Sequence, residues 1–206
     1  MNATMLKPLF LGTLKKPRAG VRAIIAMRLP SQGLWIALSL VSIVTSLILS
    51  ILMQAATAMP GRPPELGMFF ETMPGSGSPI IFALLRWGQA VLIVFMLYWV
   101  GRVLGGQGAL DDVLAAMTLL QAVAFIVLFG LSLLGMVLPV LPALAILVFL
   151  IWFLWALVVS LDEAHGFESP LKAVGVLVLS FFGVLVGISV MTAMIAAIVG
   201  GVTGGI

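Results

Sequence analysis

Two short polar tracts hold most of the residues in this chain that could do chemistry. The first, SLDEAHGFESPLK, gathers Asp162, Glu163, Glu168 and the only histidine, His165, within seven residues. Carboxylates and an imidazole so close together are the donor types that hold a divalent cation. No HExxH or paired-histidine spacing accompanies them, so no metal is assigned, and the tract reads as an exposed docking loop. The second tract, GRVLGGQGALDD, places Gly101, Gly105, Gly106 and Gly108 around Arg102, ahead of Asp111 and Asp112. A phosphate cradle of the Walker type needs a lysine and a hydroxyl directly after its glycines, and neither follows. These glycines therefore read as permitting close packing of two helix ends, with Asp111 or Asp112 capping the next helix at its positive pole.

Other chemistry is scarce. There is no cysteine, which removes disulfides, thiolate metal sites and cysteine nucleophiles. Neither a Ser-His-Asp order nor a pair of intramembrane carboxylates occurs, so no catalytic residue and no cofactor are assigned and the chain reads as not an enzyme. A membrane enzyme would need a metal at His165 and its acidic neighbours. Arg86 is the one cation deep in an apolar run, where an ionisable group is a functional candidate by default. It stands about two turns from a helix end, beside Trp87, and the favoured reading is an anchor snorkelling to the headgroups.

The elements that must position these residues follow from composition. Of 206 residues 63 % are apolar and 8 % charged, and the mean hydropathy is +1.30. A hydrocarbon core about 30 Å thick takes roughly 20 helical residues to cross. Five runs are long enough: 33–55, 79–103, 113–136, 140–161 and 171–199. The fold class is thus all-α, an integral membrane bundle of five transmembrane helices (33–206) preceded by a cytoplasmic, basic amphipathic segment (1–32). LPVLP, with Pro139 and Pro142, reads as the tight hairpin between spans three and four. Ser169 and Pro170 read as the N-cap and first-turn proline of the last span.

Lysine and arginine set the orientation. Lys7, Lys15, Lys16, Arg18, Arg22 and Arg28 precede the first span, and Arg102 and Lys172 fall on the same side, against Arg62 and Arg86 at most on the other. That bias puts the N-terminus in the cytoplasm and the C-terminus outside, as in a bacterial inner-membrane protein. The stretch before the first span is too long for a signal peptide. Leu6, Phe10 and Leu14 recur at helical spacing, and Pro17 can open a second short helix carrying Val21, Ile24 and Ile25. Such a segment reads as an interfacial helix on anionic headgroups rather than a disordered tail. In the last span Gly183 and Gly187, continued by Ala193, Ala197 and Gly201, form a small-residue stripe for helix packing, inside the bundle or with a second copy.

Three stretches carry a family resemblance. YWVGRVLGGQGALDDVLAAMTLLQ is similar to the tract of the Yip-domain family, named for Ypt/Rab-interacting proteins, in which a glycine-rich loop follows an aromatic-ended helix. IWFLWALVVSLDEAHGFESPLKAVGVLVL resembles its later tract, where a tryptophan-rich span leads to HG and then KA. LKKPRAGVRAIIAMRLP resembles the way bacterial members enter the first span. The resemblance marks Gly101, Gly105, Gly106, Trp155, His165, Gly166, Lys172 and Ala173, and implies five spans with a cytoplasmic N-terminus. Many relatives have a proline near Gln121 and Ala122, where this chain has none, and the long cytosolic region of eukaryotic members has no counterpart here.

The leading functional expectation is a non-enzymatic multi-pass protein that works by association. Gly101, Arg102, Gly105, Gly106, Asp111, Asp112, Asp162, Glu163 and His165 would meet a protein partner or a second copy, and the basic N-terminus would meet anionic lipid. Nucleic acid is not expected as a partner. The alternative is a transporter or channel for a small solute or lipid, its polar path lined by Arg86, Gln54, Gln89 and Gln121.

Overall fold

The computed structural model describes residues 3–58, 64–135, 141–167 and 169–203. Every regular element among them is a helix: α1 (Ala3–Lys15), α2 (Pro17–Ala26), α3 (Ser31–Ala58), α4 (Pro64–Glu71), α5 (Pro79–Val103), α6 (Leu110–Gly135), α7 (Leu141–His165) and α8 (Pro170–Thr203). Five of them, α3, α5, α6, α7 and α8, are long and apolar enough to cross a membrane, so the chain is an integral, all-helical membrane protein. Their outward faces carry large bare apolar side chains such as Ile36, Leu84, Leu147, Ile151 and Phe182, as lipid-facing helices must.

The span boundaries depart from the sequence reading by a few residues at most ends, and α5 begins and ends as read. The largest change is at α7, which continues through Asp162 and Glu163 to His165. Those three residues belong to a final helical turn, not to a loop. The LPVLP turn falls partly on residues 136–140, outside the described residues, as does Arg62; Pro142 sits in the first turn of α7, where its missing N–H costs nothing. Helix α4 lies within a connection in which no element was expected; its buried Phe70 sits against Phe82, with ring centroids 6.3 Å apart.

Helix α6 is the centre of the bundle. Every residue from Val113 to Leu120 is buried, and α6 packs against α3, α7, α2 and α5. Helices α1 and α2 form a short V folded onto this end. Gly20 closes the V, because a Cβ there would lie 2.8 Å from Thr13 Cβ and 2.9 Å from Thr13 Cα. Val21 and Ile24 of α2 are buried, Phe10 and Leu14 of α1 pack beside them, and Trp152 Nε1 donates to the Leu14 carbonyl at 3.1 Å. Helix α2 begins at Pro17 and packs on α6 and α7, while α1 packs on α2 and α6.

Candidate functional site

The two polar tracts meet at this same end and build one another. Helix α5 stops in a Schellman motif: Gly105 takes φ +88°, Gly105 N–H donates to the Arg102 carbonyl at 3.1 Å and Gly106 N–H to the Gly101 carbonyl at 2.8 Å. Helix α7 stops the same way, with Gly166 at φ +63° and Phe167 N–H donating to the Asp162 carbonyl at 3.2 Å. The loop then crosses the end of α7, where Gln107 N–H donates to the His165 carbonyl at 2.9 Å. Glycine at 105 and 166 answers the backbone. At 101, 106 and 108 it answers a neighbour.

That neighbour is His165. Its side chain is 1 % exposed, and Nε2 lies 3.1 Å from the Leu97 carbonyl, to which it donates in the matching tautomer. The ring reaches a helix backbone only because Gly101 has no side chain. A Cβ at Gly101 would stand 2.7 Å from Cε1 and nearer still to Nε2 and Cδ2. A Cβ at Gly106 would stand 2.7 Å from Cδ2, and one at Gly108 would collide with the Ala164 carbonyl group. Phe167 covers the remaining side, its ring centroid 5.1 Å from the imidazole. His165 is therefore a buried peg in a glycine socket and not an exposed docking residue.

The carboxylates are committed as well. Asp162, 2 % exposed, accepts from Arg18 Nη2 through Oδ2 and from Ser169 N–H through Oδ1 at 3.1 Å, so one side chain ties α2 to the start of α8. Glu163 takes a two-pronged bond from Arg22, Nε to Oε1 at 2.7 Å and Nη2 to Oε2 at 3.2 Å. Hydrogen bonding to Glu163, and then its charge, raise the Arg22 guanidinium above its ordinary pKa. Asp112 Oδ2 accepts from Ala109 N–H at 3.0 Å at the start of α6, and Asp111 accepts from Ser31 Oγ at 2.7 Å. Arg102 Nη1 lies 3.4 Å from the Gly106 carbonyl. Glu168 lies outside the described residues. Among the described residues no cluster of three metal-type donors forms.

A family model described as the Yip1 domain matches residues 11–191. The chain belongs to the Yip1 domain family. No curated protein and no solved structure matches it. The matched region of this Yip1 domain contains α2, both Schellman loops and all the ion pairs between them. Membership together with five apolar helices fits a non-enzymatic membrane role.

Reading the sequence missed the part played by Arg18 and Arg22. A signal was present: they stand four apart, on one face of a helix. Pairing them uses the charge of Asp162 and Glu163. Lys15 and Lys16 have no ion-pair partner among the described residues, and with Arg18 and Arg22 they line a groove of about 390 Å³ completed by Trp155 and Val159. Gly183 and Gly187 face α5 inside the chain, Gly183 against Met96 Sδ and Gly187 against Leu92.

Arg86 is exposed on α5 and bonds a neighbour on its own helix. Its Nη1 donates to Gln89 Oε1 at 2.7 Å, one turn deeper into the bundle, while Trp87 Nε1 bonds Ser39 Oγ of α3 at 2.8 Å. Arg86, Gln89 and Gln121 line one cavity of about 200 Å³ between α3, α5 and α6, whereas Gln54 is not part of it and bonds Ser50.

Proposed function

We propose that this Yip1 domain protein works by association, at the membrane end formed by α1, α2, the 101–110 loop and the last turn of α7, and performs no chemistry there. The groove beside Trp155 carries the reading. Arg18 and Arg22 are paired with Asp162 and Glu163 and no carboxylate lines the groove, so Lys15 and Lys16 leave net positive charge next to the bare apolar flank of α7, where Ile151, Leu154 and Trp155 are exposed. A phosphate headgroup suits the lysines and its acyl chains suit that flank, at about 1 kcal/mol per basic residue near an anionic surface. The surrounding residues Gly101, Arg102, Gly105, Gly106, Asp111 and Asp112 frame the same end, and an acidic face of a protein partner or a second copy would approach there. His165, Asp162 and Glu163 act from inside, by holding the end together. The positive bias supports a cytoplasmic position for this end and an outside C-terminus, and the likeness of LKKPRAGVRAIIAMRLP to the way bacterial members enter the first span supports a bacterial-type member in an inner membrane.

Purification with native lipid, followed by mass spectrometry of everything retained, tests the reading. Enrichment of anionic lipid, or a stoichiometric protein, that falls in Lys15→Gln/Lys16→Gln supports it. Retained lipid of bulk composition, no partner and no effect of the variant would refute it. The alternative, a transporter or channel for a small solute or lipid, is favoured by the cavity at Arg86; solute flux into proteoliposomes that disappears in Arg86→Ala would establish it.

A further inference from the structure

The cavity at Arg86 is built of donors. Ser42 Oγ donates to Gln121 Oε1 at 3.0 Å, and Arg86 Nη1 occupies Gln89 Oε1. Each amide oxygen already accepts one bond, and both amide NH₂ groups are left without a partner among the described residues. Thr45 Oγ1 is buried and also without a hydrogen-bond partner, although Ser46, Ser132 and Ser160 all bond back to their own helices. The guanidinium keeps further N–H groups, and no carboxylate lines the cavity. Carboxylates of the spanning helices stand in end turns on the opposite side: Asp111 and Asp112 in the first turn of α6, Asp162 and Glu163 in the last turn of α7.

Depth makes this arrangement costly without a counter-charge. Ser42 and Gln121 each lie about 16 Å along their helices from the N-terminal side of the bundle, close to the middle of a core about 30 Å thick. Arg86 is about 10 Å in from the other end. A second cavity of about 220 Å³ shares Arg86 and Gln89 with the first and extends between α5 and α8 to Met73 and Pro74 at that other end. Each volume far exceeds the roughly 10–15 Å³ that one water needs. The pair of cavities is a donor-lined recess reached from the side away from the N-terminus.

We propose that this recess binds a phosphate-type oxyanion, with Arg86 supplying the charge and the Gln89 amide, the Gln121 amide and the Thr45 hydroxyl the neutral donors. The oxyanion is either free phosphate or the phosphodiester of a lipid in the leaflet on that side. The site lies apart from the basic groove and does not depend on the association reading.

The full-length Lys15→Gln/Lys16→Gln protein, purified in phosphate-free maltoside, removes binding at that groove. Inorganic phosphate and, separately, dihexanoylphosphatidylglycerol are then titrated by isothermal calorimetry. Saturable binding of at least one probe is expected, weakened about tenfold or more by Arg86→Gln and several-fold by Gln121→Leu. Phosphate alone identifies a free ion, and the lipid alone identifies a headgroup. Arg86→Lys, which keeps the charge but not the fork of donors, serves if Arg86→Gln does not fold and should bind more weakly than the native side chain. The proposal is overturned if neither probe saturates, or if these variants bind as tightly as the parent.

Discussion

Alanine at position 101 should be among the most damaging single-methyl insertions in the molecule, and its cost can be worked from the socket. The new Cβ would lie 2.7 Å from His165 Cε1 and closer to two other ring atoms, so the imidazole has to leave. It has nowhere to go: Gly106 and Phe167 hold its other sides. Leaving breaks the 3.1 Å bond to the Leu97 carbonyl and strands a buried N–H, about 1–3 kcal/mol. Overpacking adds about 1–3 kcal/mol. The total, about 2–6 kcal/mol, corresponds to a fall in Tm of roughly 4–24 °C for a domain of this size. Thermal unfolding in maltoside, followed by tryptophan fluorescence, measures it. The decisive form is a double-mutant cycle. With His165→Ala already in place the ring is gone, and Gly101→Ala should cost no more than about 1 kcal/mol, giving a coupling of at least about 1 kcal/mol. Equal costs in the two backgrounds, or an unchanged Tm, would refute the socket.

Gly105→Ala meets no atom within 4 Å, so only the strain of φ +88° is felt and the loss should be about 1 kcal/mol, well short of Gly101→Ala in the same melt. Removing the carboxylate in Asp162→Ala leaves Ser169 N–H without its partner and Arg18, 46 % exposed, with only Glu163 at 3.8 Å, and should cost about 1–3 kcal/mol, whereas Arg22→Ala breaks a bond whose arginine is 70 % exposed and should cost measurably less. Those two variants compared side by side in denaturant titrations test whether Asp162 is the structural acid of the pair. Gly187→Leu should destabilise the isolated chain by forcing α8 off Leu92 of α5, and cross-linking should show no change in assembly that precedes unfolding.

Hydropathy and local backbone chemistry settled much of this protein in advance. Five spans, a basic first end, a proline that opens α2 and glycines that end helices are properties of single residues and their near neighbours, so the linear pattern carries them. Partner identity is different. The spanning helices are apolar on every side, so periodicity marks no face and gives no clue to which helices adjoin. The sequence placed His165 in a loop because nothing local distinguishes a buried imidazole from an exposed one; its burial depends on Gly101, 64 residues earlier, being close enough to leave a gap. Asp162 and Glu163 were read as solvated because Arg18 and Arg22 lie across two helices. Arg86 reads as an anchor near a helix end, and that it shares a cavity with Ser42 and Gln121 follows only from the approach of α3 and α6. What the residues are decided that this chain lives in a bilayer and which way its helices stop. Which polar groups remain unsatisfied after packing, and hence where something else can bind, was decided by the tertiary structure alone, because satisfaction is a property of neighbours in space.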